Sequence, residues 1–193
     1  MVGAVLLLSL LASLPARALD PLFVAAENRE VIEELTTRYL PDMTPGMGAA
    51  WVYQESRWKV TALSKAGARG PLQIMPDTAR DIRWACHMPD LDLNNMSSAL
   101  RGGFCYARIL RRRVGKMASA SDHNEAMLRA YNGGASYILK ERDAAKAKGM
   151  NDGVAASLSA HCRKFRSKDS CEENLKYYPY ILRWYDQYYR AWQ

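Results

Sequence analysis

The chain has 193 residues, 49% of them hydrophobic, which is enough for one domain with its own core and too little for several. Lys and Arg outnumber Asp and Glu by 27 to 20, a net charge of +7. That balance suits polyanionic surroundings such as nucleic acid, anionic lipid or an acidic cell envelope, or simply solubility; no nucleic-acid-binding motif accompanies it, so nucleic acid is not predicted as a partner.

The chain opens on an apolar run, Met1–Leu14, shorter than the ~20 residues a membrane-spanning helix needs. Pro15 follows, and then Ala16-Arg17-Ala18, a small-x-small cleavage pattern. Residues 1–18 therefore read as a secretory signal peptide, although no Lys or Arg precedes the apolar run. The alternative is an uncleaved anchor giving transient association with the membrane. Residues 19–43 read as an N-terminal helical segment and 44–193 as the main domain.

Strand signals are scarce and helix signals recur. Asp20-Pro21 pairs an N-cap with proline at the first helical position, and Leu22–Tyr39 carries Val31, Ile32 and Leu35 at helical spacing before Pro41 stops it. Gly48–Trp58 is a second predicted helix, on which Glu55 lies one turn from both Trp51 and Trp58. Gly67, Gly70, Pro71 and Pro76 interrupt periodicity, so Leu63–Met75 reads as loop or short extended chain. Pro76 opens a short helix ending near Trp84. Asn94-Asn95 precedes a long one, Ser97–Val114, whose Gly102-Gly103 pair implies close packing, and Arg111-Arg112-Arg113 looks like its solvated end. Ser121 is the expected cap of a helix ending at Gly133, and Ala135–Lys148 is another. Lys164–Ser170 is polar and reads as an exposed loop. Tyr177–Trp192 reads as an aromatic C-terminal helix with Pro179 in its first turn.

Cys86, Cys105, Cys162 and Cys171 form an even set behind an export signal, which points to disulfides. Three connectivities are possible, and local closure favours Cys86–Cys105 with Cys162–Cys171. His87 and His161 each adjoin a cysteine, but no C-x-x-C or H-x-x-x-H spacing exists, so neither a metal site nor a cofactor is predicted.

Three separated pieces carry the chemistry: Glu55-Ser56-Arg57-Trp58; Gly67-Ala68-Arg69-Gly70-Pro71-Leu72-Gln73-Ile74-Met75-Pro76, running on to Thr78-Ala79; and Ala130-Tyr131-Asn132-Gly133-Gly134. A glutamate beside two tryptophans suits a carboxyl kept protonated near neutrality, as a general acid for glycosidic cleavage requires. An ordinary hydrolase needs a second carboxylate; Asp77 and Asp81 stand beyond the loop, and Asp77 is explained by the dipole of its own helix.

Together the three pieces resemble the soluble (Slt-type) lytic transglycosylases, which share a fold with goose-type lysozymes; the resemblance runs from about Thr44 to Tyr185. It implies a mainly α, single compact lysozyme-like domain. It also implies an enzyme cleaving the β-1,4 linkage between N-acetylmuramic acid and N-acetylglucosamine in peptidoglycan glycan strands. One glutamate, Glu55, would act as general acid and then as base on the sugar's C6 hydroxyl, leaving a 1,6-anhydromuramic end. Ser56, Gln73, Met75, Tyr131, Asn132 and Tyr180 would bind or orient substrate. Tyr131 would set its hydroxyl near Glu55, and Tyr180-Ile181 would match the family's Y-V pair. Departures are Val60 where the family often has proline, the cysteine pairs, and the long stretch between Ala135 and Tyr177.

The size, charge and export signal lead us to expect a monomer in the periplasm or cell envelope, acting in phage lysis or in local opening of the wall. Two other classes stand beside this reading: a hydrolytic goose-type muramidase, and a non-catalytic cationic protein that binds wall or membrane.

Overall fold

A computed structural model describes residues 20–192; the predicted signal peptide lies outside the described residues. Ten α-helices follow one another: α1 (Pro21–Glu27), α2 (Arg29–Tyr39), α3 (Pro45–Ser56), α4 (Pro76–Ala85), α5 (Met96–Val114), α6 (Ala120–Gly133), α7 (Ala135–Ala147), α8 (Ala155–Ser159), α9 (Cys162–Phe165) and α10 (Lys168–Trp184). A π-helical turn, Tyr185–Tyr189, closes the series. Among the described residues there is no strand, only isolated bridges pairing Arg69 with Leu63 and Ile74. The expected mainly α architecture is what the chain adopts.

Helix α3 is the axis of the molecule. Thr44 caps it by accepting from the Met47 N–H, and Pro45 opens it, three residues before the predicted start. Gly46 to Tyr53 are all buried, so the helix has no polar side and its apolar period is weak. Helices α2 and α10 and the π turn pack around it. A β-carbon on Gly46 would lie 2.2 Å from the Tyr189 carbonyl oxygen, so glycine is what lets the chain's end lie against this helix.

Several predicted boundaries move. The Leu22–Tyr39 helix is broken at Asn28, whose side chain donates to the Val24 carbonyl and competes with the backbone ladder. Ser119 rather than Ser121 caps α6. The predicted exposed loop at Lys164–Ser170 is instead the end of α9 and the capped start of α10, where Ser167 accepts from the Ser170 N–H; its polar residues are the outer face of helical turns. Helix α10 thus begins nine residues earlier than predicted, at Lys168 rather than Tyr177, and Pro179 lies in its interior. There the missing N–H leaves the Leu175 carbonyl without its helical donor.

Both locally closed disulfides are present: Cys86–Cys105 ties the end of α4 to α5, and Cys162–Cys171 ties α9 to α10. The glycine pair in α5 does reflect close packing, against loop residues and, at Gly102, also against Ile82 of α4. A β-carbon on Gly103 would come within 2.3 Å of Leu72, and one on Gly102 within 2.8 Å of Leu91.

Candidate active site

Glu55 is the penultimate residue of α3. The helix stops because Arg57 and Trp58 both turn left-handed, at φ 55° and 62°. Neither is glycine, so each costs about 1–2 kcal/mol, and tertiary contacts hold both. The Arg57 guanidinium is sandwiched between the rings of Tyr53 and Trp184, at 4.4 and 4.3 Å. Trp58 is buried, and its indole N–H donates to the Tyr189 hydroxyl at 3.0 Å. The turn that presents Glu55 is therefore locked by the last twenty residues described.

The carboxyl itself meets that same C-terminal segment. The Trp51 indole donates to the Tyr177 hydroxyl at 3.0 Å, and Tyr177 donates to Glu55 Oε1. Protein atoms pack densely around the carboxyl, although it keeps a partial opening to solvent. Burial pushes its pKa up to about 7, against the weaker downward pull of the Tyr177 and Trp51 hydrogen bonds. Tyr177 is itself held well above the ordinary tyrosine range, first by burial and then by the neighbouring Glu55 charge. A general acid at neutral pH requires such a carboxyl.

The opening leads into a cleft of about 480 Å³ whose walls include Asn132, Tyr180, Asp169, Glu172 and Glu173. Asn132 is fastened from behind: its Oδ1 accepts from Asn174 at 2.9 Å, and Asn174 also donates to the Arg129 carbonyl. Beneath them lies an ion cluster around the fully buried Arg129 and Glu141. Arg129 donates to Glu141 at 2.6 Å, and Arg166 meets the other Glu141 oxygen at 3.4 Å while donating to the Gly133 carbonyl at 3.0 Å. This satisfies the orphan carbonyl at the end of α6 and fixes the turn carrying Asn132.

The loop between α3 and α4 forms around left-handed Gly70 and Gln73. The Gln73 amide donates to the Ala62 and Gly70 carbonyls, at 3.3 and 3.0 Å, so its donors brace the loop and its oxygen is left as acceptor. The Tyr131 hydroxyl donates to the Leu72 carbonyl at 2.7 Å, and its ring stands edge-on to Trp51 at 4.8 Å. Tyr131 thus ties α6 to the loop; it lies near enough to Glu55 for that charge, after burial, to push its pKa up, while the hydroxyl bonded to Glu55 is that of Tyr177. Met75 is exposed at the N-cap of α4. Ser56 turns from the cleft, its hydroxyl against the Val52 carbonyl, and lines a neighbouring apolar hollow.

Of the sequence-predicted residues, Glu55, Asn132 and Tyr180 line one cleft, while Gln73, Met75, Tyr131 and Ser56 do not line it. Tyr177 was missed. It stands one turn before Tyr180 on the same helix, and both line the cleft. Asp77 pairs with Arg80 at 3.0 Å on an exposed face, and Asp81 lines a different hollow. The carboxylates nearest to hand in the cleft come from α10.

The family described as Transglycosylase SLT domain matches residues 38–153. A protein named membrane-bound lytic murein transglycosylase F from Actinobacillus pleuropneumoniae serotype 5b (strain L20) is 30% identical over 119 residues, 62% of this chain and 23% of the relative. Its namesake in Alteromonas mediterranea is 26% identical over 164 residues, 80% and 34% of the two chains. Another in Vibrio cholerae serotype O1 (strain ATCC 39315 / El Tor Inaba N16961) is 30% identical over 157 residues, 76% and 28%. The matched part of each relative is thus about a third of its length or less. Tyr177 and the acidic wall of the cleft lie past the family match, whereas Glu55, the loop and Tyr131 fall within it, and on that match the chain belongs to the transglycosylase SLT domain family.

Proposed function

We propose that this protein is a peptidoglycan lytic transglycosylase with Glu55 as its general acid and base. The observation that carries the reading is the Glu55 carboxyl, raised to about 7 and opening into a cleft. The protonated carboxyl gives its proton to the bridging oxygen as the bond from the muramic anomeric carbon to that oxygen breaks. The carboxylate then takes the proton of the C6 hydroxyl as that oxygen bonds to the anomeric carbon. No water is consumed, and Glu55 ends as it began. Tyr177 holds the carboxylate between the two steps, and Asn132 and Tyr180 are the cleft's groups for the sugars. Family membership and the names of the relatives support this reading, as they do action in the cell envelope. Phage lysis and local wall opening are both compatible with it.

Asp169, Glu172 and Glu173 give specific weight to a second reading, a muramidase in which one of them activates water. None hydrogen-bonds to Glu55 or Tyr177 among the described residues. Mass spectrometry of digested peptidoglycan separates the two: anhydromuropeptides, each lighter by one water, support the first. Reducing muropeptides abolished by replacing one of the three with its amide support the second.

A further inference from the structure

We infer that the hollow between the C-terminal ends of α2 and α5 is an anion site that takes a phosphate group. The hollow measures about 530 Å³ and is lined by the cations Arg38, Arg108, Arg111, Arg112 and Lys116, together with Tyr39 and His123; no carboxylate lines it. It shares no residue with the Glu55 cleft.

The ion pairs show which cations are already matched. Arg111 is neutralised, paired to Asp42 and bonded to Asn124 at 2.9 Å. Arg38 reaches Glu34 only at 3.8 Å, and that carboxylate is already held by both arms of Arg101. Arg108, Arg112 and Lys116 have no ion-pair partner among the described residues. Arg108 is the telling one. Its guanidinium lies over the Tyr39 ring at 5.0 Å, its Nε is shielded from solvent without an acceptor, and its nearest polar contact is the Cys105 sulfur at 3.9 Å. A shielded N–H without an acceptor is costly, and an anion in the hollow would supply one.

Helix dipoles account for part of this charge. Both helices end here, and basic side chains in a last turn offset the exposed carbonyls. That explains Arg38, Arg111 and Arg112. It does not explain Arg108, which lies above the last turn of α5, or Lys116 beyond its end. His123 adds no counter-charge: it donates through Nε2 to the Arg111 carbonyl at 3.1 Å. Several cations around one concavity exceed what a carboxylate can match with one charge and two oxygens, whereas guanidinium forks suit a phosphate's greater charge and additional oxygens.

The phosphate can come free in solution or on a lipid headgroup, and the test distinguishes the sources. The full chain is titrated with inorganic phosphate by calorimetry, and with phosphatidylcholine vesicles with and without phosphatidylglycerol by co-sedimentation, at ~0.15 M salt to screen diffuse attraction. Arg112→Gln/Lys116→Gln, both outside the core, is compared with Arg108→Gln and with Arg80→Gln/Arg83→Gln, which removes equal charge from α4. Saturable phosphate binding weakened tenfold or more by the hollow variants and not by the α4 variant supports the site with a free ligand. Vesicle binding that needs phosphatidylglycerol and falls in the same variants, without phosphate binding, supports the lipid source. No binding to either probe, or equal loss in the α4 variant, overturns the proposal. Activity on purified peptidoglycan, retained in the hollow variants, shows that the fold persists.

Discussion

The carboxyl of Glu55 binds its proton more tightly in the folded protein than in the unfolded chain, whose glutamate titrates near 4.5. Ionising it in place therefore works against folding. The penalty is absent below about pH 4.5, grows as pH rises to about 7, and is complete above that. At 1.36 kcal/mol per pH unit, less what solvent at the cleft mouth restores, it comes to roughly 1–3 kcal/mol. Glu55→Gln, which keeps an oxygen for Tyr177 and cannot ionise, should melt higher than the parent at pH 8 and about equally at pH 4. The same variant should lose ~10²–10⁴-fold in turnover. A variant that is inactive but no more stable at pH 8 would show that the carboxyl is not held protonated.

Tyr177 tests the same carboxyl from the other side. Its hydrogen bond favours the ionised form, so Tyr177→Phe should raise the pKa further. In the parent, kcat/KM should fall about tenfold per pH unit above pH 7 as the acid form is lost; in Tyr177→Phe the falling limb should move to higher pH. The substitution also strands the Trp51 N–H, so a lower maximal rate is expected beside the shift. An unmoved limb would assign the titration to another group.

The helices themselves were the most legible elements, and their ends less so. Thr44-Pro45, Asn95 and Ser119 each satisfy orphan N–H groups or set the first turn with few residues, although Thr44-Pro45 and Ser119 were passed over for later starts. The Asn28 break and α9 were hidden because each depends on a competing side chain or a tertiary partner rather than on a period. Glu55 was legible because it belongs to one of the three sequence pieces that carry the family resemblance and has Trp51 one turn away on its own helix. Tyr177 was not, since its bond to Glu55 spans 122 residues and depends on the register of α10. At this scale the disulfide between α9 and α10 is expected to add roughly 2–3 kcal/mol. Cys162→Ser/Cys171→Ser should melt correspondingly lower, and unfolded, unreduced parent protein should show no free thiol by titration. Gly103→Ala should cost about 1–3 kcal/mol by overpacking. It should also depress activity, because the Leu72 side chain it displaces belongs to the residue whose carbonyl receives Tyr131; an unchanged melting temperature would show that the loop yields freely.

For the whole molecule, products of digestion are the decisive measurement. A cleft with a single perturbed carboxyl predicts anhydro ends and no new reducing ends from purified walls. The fold builds this site from two halves. One lies within the matched family region and carries Glu55, the loop and Tyr131; the other is α10 with its π turn, carrying Tyr177, Tyr189 and the acidic wall. Substitution of Asp169, Glu172 or Glu173 on α10 is thus expected to alter substrate choice while leaving the Tyr177–Glu55 bond in place.

The bonds from Tyr177 and Tyr189 back to α3 also bear on biosynthesis. A ribosome delivers Glu55 long before it delivers either tyrosine, separated from them in sequence by well over half the described chain. Until α10 emerges, Glu55 lacks the Tyr177 hydroxyl, Arg57 keeps only the Tyr53 face of its sandwich, and Trp58 lacks the Tyr189 hydroxyl. On the proposed function, a chain cut short before Lys168 should therefore fail to cleave glycan, and the activity of such a truncation on purified walls checks this.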